Sequence, residues 1–412
     1  MNLKLNLSVL LFIAGNAFTG FAQIADCTDP QATNYNPAAT VNNGSCVYPV
    51  TNYSPVLIGN LGSALNESSG LAFINGELWS HNDSGNPNEI HRINTADATV
   101  TRTVVIENAV NADWESVTQN DEYLFVGDFG NNNGNRTNLN ILKISIDDIL
   151  NTVNDTVQAE VIQFSYADQS TFSSLPNNNN FDCEGFFYAN DSLHLFSKNW
   201  ANLKTKHYVL PAAAATFQAQ LTDSFNVDGL ITDAATNADG TITLLGYKNN
   251  GNNLYTCFIW LVYDYPSLYN CFGGNKRRIE IGSALTLGQT EGITLMDNNT
   301  GYISSELITA GIFTFPPKLH SFNIDTYVSD IVTAVKQETT QPEITVYPNN
   351  FTTNIIVSSS AQTQTEYVVA DASGKMVLQG TISPGTTVID TGKLSAGIYF
   401  FIANGISTKL LK

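Results

Sequence analysis

Hydrophobic and polar positions alternate over short stretches through most of the chain, and turn-forming residues interrupt each stretch. From about residue 53 to residue 330 the apolar positions are mostly β-branched and aromatic, and Asn, Gly, Asp and Pro separate them. Alternation over four to eight residues is typical of a half-buried strand, and no helical period is sustained here. The pattern therefore predicts an all-β fold.

The strands recur as a repeat in which an acidic residue is followed, 13 positions later, by a small or acidic residue of a second strand. Five copies are present, with the pairs Glu67 and Ser80, Glu115 and Asp128, Glu184 and Ser197, Asp233 and Gly246, and Glu291 and Ser304. Further strands follow within the copies. A spacing that stays constant while the intervening residues vary indicates repeated structural units.

Successive copies lie 48 to 69 residues apart, which suits a four-stranded β-propeller blade with loop insertions. The fifth copy lacks a convincing fourth strand, and the segment from Val56 to Leu65 mirrors the one from Ile279 to Leu285. We therefore expect residues 51–330 to form a five-bladed propeller whose last blade is completed by the N-terminal strand. Six blades are the alternative, because the insertion from Gln169 to Asn180 is long enough to contain strands.

The first 22 residues have the features of a cleavable export signal. Lys4 precedes an apolar run from Leu7 to Ala14, and the small residues Gly20 and Ala22 precede the expected cleavage point. No later stretch approaches the ~20 consecutive apolar residues that a transmembrane helix requires. Residues 1–22 are therefore predicted to be a signal peptide, and no transmembrane segment is expected after it.

Residues 23–50 are nearly all turn formers and contain Cys27 and Cys46. A stretch this short cannot bury a core, so a disulfide between the two cysteines would have to hold it. The sequence resembles a cysteine-bracketed module of large surface proteins of Bacteroidetes, with Asn42 and Asn43 where members often carry an acidic pair. We interpret the module as a spacer or adhesion unit.

Three further cysteines lie in the predicted propeller. Cys257 and Cys271 bracket a predicted strand pair, and neither cysteine pair has metal-site spacing. In an exported protein structural disulfides are expected, so we predict a second bridge between them and a free thiol at Cys183.

After a predicted linker, residues 331–342, the pattern changes. Residues 343–412 contain Val346-Tyr-Pro-Asn349 early, Gly397-Ile-Tyr399 late and a basic end at Lys412. This order of features resembles the C-terminal sorting domain of type IX secretion. The resemblance implies a small β-sandwich, recognition by the type IX secretion machinery, and a secreted or cell-surface location after export through the periplasm.

The charge balance excludes some partners. Asp and Glu number 37 against 18 Lys and Arg, which gives a formal net charge of −19. Such a surface repels nucleic acid and anionic membranes. Concentrated carboxylates suit hard cations such as calcium, although solubility alone would also explain an acidic exterior.

In a propeller the first strand of each blade lines the central channel, so the repeated acids should surround one mouth of it. Crowded carboxylates repel each other unless a cation neutralises them, and donors that are all oxygen favour calcium over zinc or copper. The alternative is that these acids bind neighbouring backbone amides and hold the blades together, with water in the channel.

The channel-strand stretches that begin at Ser69, Glu115 and Thr290 are similar to those of calcium-activated nucleotidases, which are five-bladed propellers. The resemblance implies a channel calcium held by oxygen atoms at the matching positions, which are Ser69, Glu115, Glu184, Asp233 or its neighbour Thr232, and Glu291. The basic residues with which that family binds nucleotide phosphates have no clear counterpart here. Fold and metal are therefore better supported by the resemblance than nucleotide hydrolysis.

Candidate catalytic residues lie in the loops that follow the second strands, and these are His81, Asp83 and Asp128. The same residue types are common in tight turns. Linear signatures of hydrolases, proteases and nucleotide-binding enzymes are missing from the sequence. Three classes stay open: a calcium-dependent hydrolase of phosphate esters or similar compounds, a protein that binds an unknown extracellular ligand, and a non-catalytic structural or adhesion protein.

Overall fold

A computed structural model describes residues 23–251, 255–297, 299–310, 313–328, 344–359, 364–372, 375–403 and 406–412. The predicted signal peptide and linker lie outside the described residues. The chain divides into two compact units, residues 1–331 and 332–412, each described by itself below.

The first unit consists almost entirely of short strands. In chain order they are β1 Ala25–Asp26, β2 Val41–Asn42, β3 Thr51–Asn52, β4 Val56–Asn60, β5 Ser68–Ile74, β6 Glu77–Asn82, β7 Glu89–Ile93, β8 Val100–Ile106, β9 Trp114–Gln119, β10 Tyr123–Asp128, β11 Asn140–Ser145, β12 Thr156–Val157, β13 Glu160–Tyr166, β14 Cys183–Ala189, β15 Ser192–Ser197, β16 Thr205–Pro211, β17 Thr216–Phe225, β18 Leu230–Thr236, β19 Ile242–Asn249, β20 Tyr255–Tyr263, β21 Asn275–Ser283, β22 Gln289–Leu295, β23 Thr300–Glu306, β24 Ile308–Ala310, β25 Phe313–Phe315 and β26 Lys318–Asn323. The helices are short: α1 Ile146–Asn151, α2 Ala284–Leu287, α3 Asp325–Val328, and the 3₁₀ helices Ser63–Leu65 and Leu268–Gly273. An all-β fold is confirmed.

Within the described residues, a four-stranded antiparallel unit occurs five times. Unit A is β5-β6-β7-β8, unit B is β9-β10-β11-β13, unit C is β14-β15-β16-β17, unit D is β18-β19-β20-β21, and unit E is β22-β23-β26-β4. The first strands contact one another in the cyclic order β5, β9, β14, β18, β22 and back to β5. Four-stranded sheets arranged radially around their first strands form a β-propeller, and these strands line its channel.

Strand β4 completes unit E by pairing antiparallel with β26, as the mirrored sequence segments predict. The tiny strands β3 and β12 extend the outer edges of units D and A, and β13 pairs in parallel with β17 between units B and C. The insertion from Gln169 to Asn180 contains no strand among its residues, all of which the structure describes.

The apolar core lies between adjacent units rather than at one centre. Trp79 and Trp114 anchor the cluster between units A and B, and Phe129 and Phe186 anchor the next one. Three further clusters fill the remaining interfaces of the cycle. Burying one large apolar side chain contributes about 1.5–3 kcal/mol, so each interface holds its neighbouring units firmly.

The predicted Cys27–Cys46 disulfide is present. The predicted Cys257–Cys271 disulfide is wrong, since both cysteines and Cys183 are free and buried. Cys257 lies near the start of β20, whereas Cys271 lies in the 3₁₀ helix beyond its other end. Six strand residues separate these ends by ~20 Å, far beyond the ~7 Å Cα separation that a disulfide spans. The expectation of a single free thiol fails for the same reason.

The second unit contains β27 Ile344–Tyr347, β28 Asn354–Ser359, β29 Thr365–Asp371, β30 Met376–Ile382, β31 Gly385–Asp390, β32 Ile398–Ala403 and β33 Ile406–Leu411. The strands form a three-stranded sheet, β27-β28-β31, and a four-stranded sheet, β30-β29-β32-β33. Side chains of both sheets, including Val357 and Phe401, share one apolar core. Among the described residues of the chain, no helix is long and apolar enough to cross a membrane.

Candidate functional site

The first strands carry a bulge near one end, opposite the last residues of the second strands. The bulged residues are Glu115 in unit B, Glu184 in unit C, Thr232 in unit D and Glu291 in unit E, and in unit A the irregularity spans Ser69 and Gly70. A bulge leaves one residue out of the ladder and re-aims its side chain. In units B, C and E the acid of the sequence repeat is therefore a bulge residue at one mouth of the channel, whereas Glu67 and Asp233 lie outside the bulges of units A and D.

Three acidic side chains of this mouth form the tightest cluster. Carboxylate oxygens of Asp83, Asp113 and Glu115 all lie within 4.8 Å of one another. Asp83 directly follows β6, Asp113 directly precedes β9, and Glu115 is the bulge residue of β9. The ends of strands in two adjacent units thus bring together three side chains that do not occupy equivalent positions of the sequence repeat.

Gly130 keeps the space beside this cluster open. A Cβ atom at this position would lie 2.1 Å from Oε1 of Glu115 and 2.6 Å from Oδ2 of Asp113. The donors are all carboxylates, which is the ligand type that calcium prefers. The donor set of Asp83, Asp113 and Glu115 is therefore chemically suited to a hard divalent cation.

Hydrogen bonds from buried side chains fix the backbone around the cluster. The side-chain amide of Asn111 donates to the carbonyl oxygens of Asn82 and Asp83, at 3.0 and 2.8 Å. Asp128 accepts from the backbone N–H of Asp113 at 3.1 Å, and from Arg136 Nη2 at 2.8 Å. These contacts hold Asp83 and Asp113 in place without using their own carboxylates.

Lys198, directly after β15, places a buried ammonium group among the other acids. Its Nζ lies 3.1 Å from Oε2 of Glu184, and the two side chains are 6% and 3% exposed. The ammonium also faces the rings of Trp200 and Tyr247, at 5.1 and 5.4 Å from their centroids. Burial alone would lower the pKa of Lys198, but Glu184, Tyr247 and further acids raise it well above its usual value, so the side chain stays charged.

The carboxyl groups near Lys198 and the cluster hold their protons more tightly than free acids. Burial, then the charges of Asp113 and Glu291, raise the pKa of Asp83 to about 7. Burial, with the nearby Asp182, also raises the pKa of Asp113 to about 6, although Arg136 opposes the shift. Burial and neighbouring acids raise the pKa of Glu306 to about 9. These carboxyl groups repel one another, so a cation that joined them would be favoured.

Three of the remaining predicted metal ligands serve the framework, whereas Glu291 is 6% exposed and accepts a hydrogen bond from Gln289 Nε2 at 2.6 Å. Asp233 accepts hydrogen bonds from Ser116 Oγ at 2.5 Å and from the backbone N–H of Ile293 at 2.7 Å, and so joins units B, D and E. The hydroxyls of Ser69 and Thr232 donate to backbone carbonyls of the neighbouring first strands, at 2.7 and 2.9 Å. Holding blades together through hydrogen bonds is thus the observed arrangement for these three.

Of the three candidate catalytic residues, only Asp83 belongs to the acidic cluster. His81 is fully buried, its ring lies edge-on to Trp114 at 5.8 Å, and burial lowers its pKa to about 4. Asp128 is 4% exposed and holds Arg136 and the backbone of Asp113. His81 therefore packs in the core between units A and B, and Asp128 positions the backbone of Asp113 beside the cluster.

Sequence reasoning did not select Asp113, Asp182 or Glu306. Asp113 and Asp182 each lie two positions before a bulged glutamate, in Asp113-Trp-Glu115 and Asp182-Cys-Glu184. This repeated Asp-x-Glu pattern was the available signal. Asp182 accepts a hydrogen bond from Trp200 Nε1 at 2.7 Å, which places Trp200 beside Lys198.

The C-terminal residues 345–412 match the family model described as "Secretion system C-terminal sorting domain". The chain therefore carries a type IX sorting domain, which directs export to the cell surface or the medium. No curated protein matches the chain in sequence.

Several solved structures resemble the chain weakly. The PQQ-bound aldose sugar dehydrogenase of Streptomyces coelicolor is 8% identical with a TM-score of 0.40, and the match covers 67% of this chain and 99% of that one. An exo-β-1,3-galactanase of Phanerochaete chrysosporium is 10% identical with a TM-score of 0.38, covering 91% and 93%. A quinonprotein alcohol dehydrogenase-like protein of Bacteroides thetaiotaomicron is 13% identical with a TM-score of 0.29, covering 80% and 69%. Likenesses this weak carry no argument about function, and the similarity to calcium-activated nucleotidases stays a prediction.

Proposed function

We propose that this exported chain is a five-bladed β-propeller that binds calcium at Asp83, Asp113 and Glu115, and that the same mouth binds a neutral or cationic extracellular ligand. The observation that carries the proposal is the convergence of these three carboxylates within 4.8 Å. The closed cycle of five first strands, and the absence of strands from the described insertion Gln169 to Asn180, support five blades over six.

The proposed ligand set differs from the one that the repeat predicts. Glu115 is retained, but Glu184 is paired with Lys198, and Asp233 already accepts hydrogen bonds from two other units. Asp83 and Asp113 take their places because their oxygens lie close to Glu115. Calcium accepts carboxylates, carbonyls and water in flexible arrangements, so three protein side chains are a sufficient base for the site.

The charge of the mouth argues against a phosphate ester as ligand. Seven carboxyl groups surround it, from Asp83, Asp113, Glu115, Asp182, Glu184, Glu291 and Glu306. Among the described residues that interact with them, the cations are Lys198 and Arg136, and Arg136 is paired with Asp128. If the carboxyl groups other than Glu306 are ionised when the metal is bound, one calcium ion and Lys198 leave the mouth negative, so an anionic ligand would be repelled.

Calcium titration of the exported chain tests the metal site. We expect one site by calorimetry, confirmed by elemental analysis, with affinity lowered at least tenfold by Glu115→Gln. Asp121→Asn is the matched control, because Asp121 is exposed in the turn between β9 and β10, at the other end of the same hairpin. A chain without bound metal, whose melting is unchanged by chelator, would overturn the proposal.

Hydrolysis of a neutral ligand is the second candidate function. In the metal-free chain at neutral pH, Glu306, with a pKa of about 9, is protonated, while Asp113, with a pKa of about 6, is ionised, so this function is an alternative to calcium binding at Asp113. Such a difference provides a proton donor and a proton acceptor at one mouth. Turnover of neutral glycosides or esters that Glu306→Gln abolishes would support a hydrolase, whereas retention without turnover would identify a binding protein.

A further inference from the structure

The cysteine-bracketed module, residues 23–50, packs against unit D of the propeller. The hydroxyls of Tyr48 and of Tyr263 in β20 both donate to Oδ2 of Asp29, at 2.7 and 2.8 Å. Asp29 is 2% exposed and Tyr263 is 3% exposed. A buried carboxylate with two phenol donors is a specific interior contact, which a freely moving spacer would not form.

Arg277 of β21 joins three parts of the first unit. Its guanidinium lies 5.2 Å from the ring centroid of Tyr48 in the module and 4.9 Å from that of Tyr327 in α3, which follows unit E. The same group donates to the side-chain oxygen of Gln31. Arg277 is 6% exposed, so these aromatic and polar contacts are shielded from solvent and correspondingly strong.

Close backbone approach also marks a fitted interface. Gly44 has φ +72°, and a Cβ atom there would lie 2.4 Å from the carbonyl oxygen of Gly273. The side-chain amide of Asn42 donates to Asp264 O and Asn275 Oδ1, both at 2.9 Å. Glycine is required where two backbones approach so closely.

The chain that leaves the module crosses from unit D to unit E. Strand β3 pairs with β21 of unit D, and β4 then pairs with β26 of unit E. Between them, the hydroxyl of Tyr53 accepts a hydrogen bond from the backbone N–H of Asn323 at 2.9 Å. Unit E therefore depends on a segment whose upstream end is held by the module.

We infer that the disulfide-bonded module is a clasp that holds the ring of blades closed at the junction of units D and E, and that the Cys27–Cys46 bond locks this clasp. The module buries little apolar surface of its own and is closed by a single disulfide, so its docked form depends on that bond. Disulfides form after a chain leaves the reducing cytoplasm, and ring closure would therefore be completed only after export. This role differs from the interpretation as a spacer or adhesion unit and is independent of calcium.

Hydrogen exchange of the purified exported chain, with and without a thiol reductant, tests the clasp. Among the described cysteines, Cys27 and Cys46 are the pair that a reductant would open. We expect reduction to accelerate amide exchange at least tenfold in β4 and β26, with no change in β9 and β10 on the other side of the ring. Acceleration confined to residues 23–50 would overturn the inference.

Substitution of Arg277 gives a second test that leaves the disulfide intact. Arg277→Met should accelerate exchange in β4 and β26 as reduction does, and reduction of this variant should add little, because both changes release the same contact. Arg102→Met is the matched control, since Arg102 pairs with Asp155 at 2.7 Å at the outer edge of unit A. Additive effects of reduction and Arg277→Met, or equal effects of the two arginine variants, would contradict a clasp.

Discussion

Replacement of Lys198 by methionine is the sharpest test of how the acidic mouth is stabilised. Methionine keeps the length of the side chain and removes its charge. The partner, Glu184, is 3% exposed, and its Oε2 lies 3.1 Å from Nζ of Lys198. Burial and neighbouring acids already raise the pKa of Glu184 well above its usual value, so the variant leaves Glu184 either as an unpaired buried charge or as a protonated acid.

The size of the effect follows from the separation and the burial. At an effective dielectric constant of ~20, two unit charges at this distance attract with about 5 kcal/mol. Removing one partner of a buried ion pair typically costs about 3–5 kcal/mol. For a domain of this size a loss of 1 kcal/mol lowers the melting temperature by about 2–4 °C, so we expect a decrease of roughly 10 °C.

Thermal and denaturant unfolding in the presence of chelator would measure the loss. Lys206→Met is the matched control in the same unit, because Lys206 pairs with Asp168 at 2.6 Å but the two side chains are 18% and 30% exposed. That pair should contribute no more than about 1 kcal/mol. Glu184→Gln should restore much of the stability of Lys198→Met, since it removes the unpaired charge.

Two outcomes would refute this reasoning. Equal losses in Lys198→Met and Lys206→Met would show that burial does not strengthen the Lys198 pair. A double variant, Lys198→Met with Glu184→Gln, as unstable as Lys198→Met alone would show that the lysine acts through packing against Trp200 and Tyr247 rather than through charge.

Two further predictions concern the calcium cluster. Gly130→Ala should lower calcium affinity at least tenfold with little change in metal-free melting, because the added Cβ would displace the Glu115 carboxylate; Gly62→Ala is the control, since a Cβ there contacts nothing within 4 Å. Unchanged calorimetric affinity would place the ion elsewhere. The pKa values of Asp83 and Asp113, raised to about 7 and 6, mean that the folded chain binds more protons than the unfolded chain above pH 4. The contribution of Asp83 and Asp113 to metal-free stability should therefore decrease as the pH rises from about 4 to 7, and calcium should reverse that contribution, while buried His81 and His207, whose pKa values burial lowers to about 4 and 3, contribute the opposite trend. Asp83→Asn combined with Asp113→Asn should remove the acids' part of the pH dependence of metal-free melting; an unchanged pH dependence in that variant would contradict the assignment.

Much of the fold is readable in the sequence because every blade must repeat the same burial pattern. Alternation of apolar residues predicts the strands, and the similarity between Val56–Leu65 and Ile279–Leu285 predicts that the N-terminal strand completes unit E. The repeat predicts that its acids lie on the first strands, and the structure places Glu115, Glu184 and Glu291 at bulges of those strands.

The details of the site depend on register, which a fixed spacing does not capture. In unit B, Trp114 pairs with Asp128, 14 positions later, whereas in unit D, Ile231 pairs with Gly246, 15 positions later. The hairpin of unit D is therefore one residue longer than that of unit B. The spacing of 13 therefore selects Asp233, one position beyond the bulged Thr232. A shift of one residue in a strand turns a side chain to the other face, and Asp233 accordingly binds neighbouring strands.

Contacts between elements distant in sequence are the other part that the pattern does not contain. Asp83 and Glu115 come from different blades, and nothing in their local sequences indicates that their oxygens meet. The position of Lys198 directly after a second strand indicates that it lies at the mouth. Its pairing with Glu184, however, depends on how far the side chain extends into the channel, and the sequence does not contain that information. The error at Cys257 and Cys271 has the same origin, because bracketing in sequence says nothing about which end of β20 each cysteine occupies.

The way in which each buried carboxylate is compensated indicates where an added cation would act. Asp233 accepts hydrogen bonds from two other units and from the backbone N–H of Ala234, and Glu184 has the ammonium of Lys198. The oxygens of Asp83, Asp113 and Glu115 face one another, and Asp83 also accepts a hydrogen bond from the backbone N–H of Ser84. Arg136 Nη1 lies 3.8 Å from Asp113 but donates to Gly130 O, and Nη2 of the same group pairs with Asp128. Burial without full compensation costs several kcal/mol for each charge, so these groups either bind protons or share a cation. Calcium bound as proposed would take that position, and the acidic mouth would then stabilise the propeller instead of weakening it.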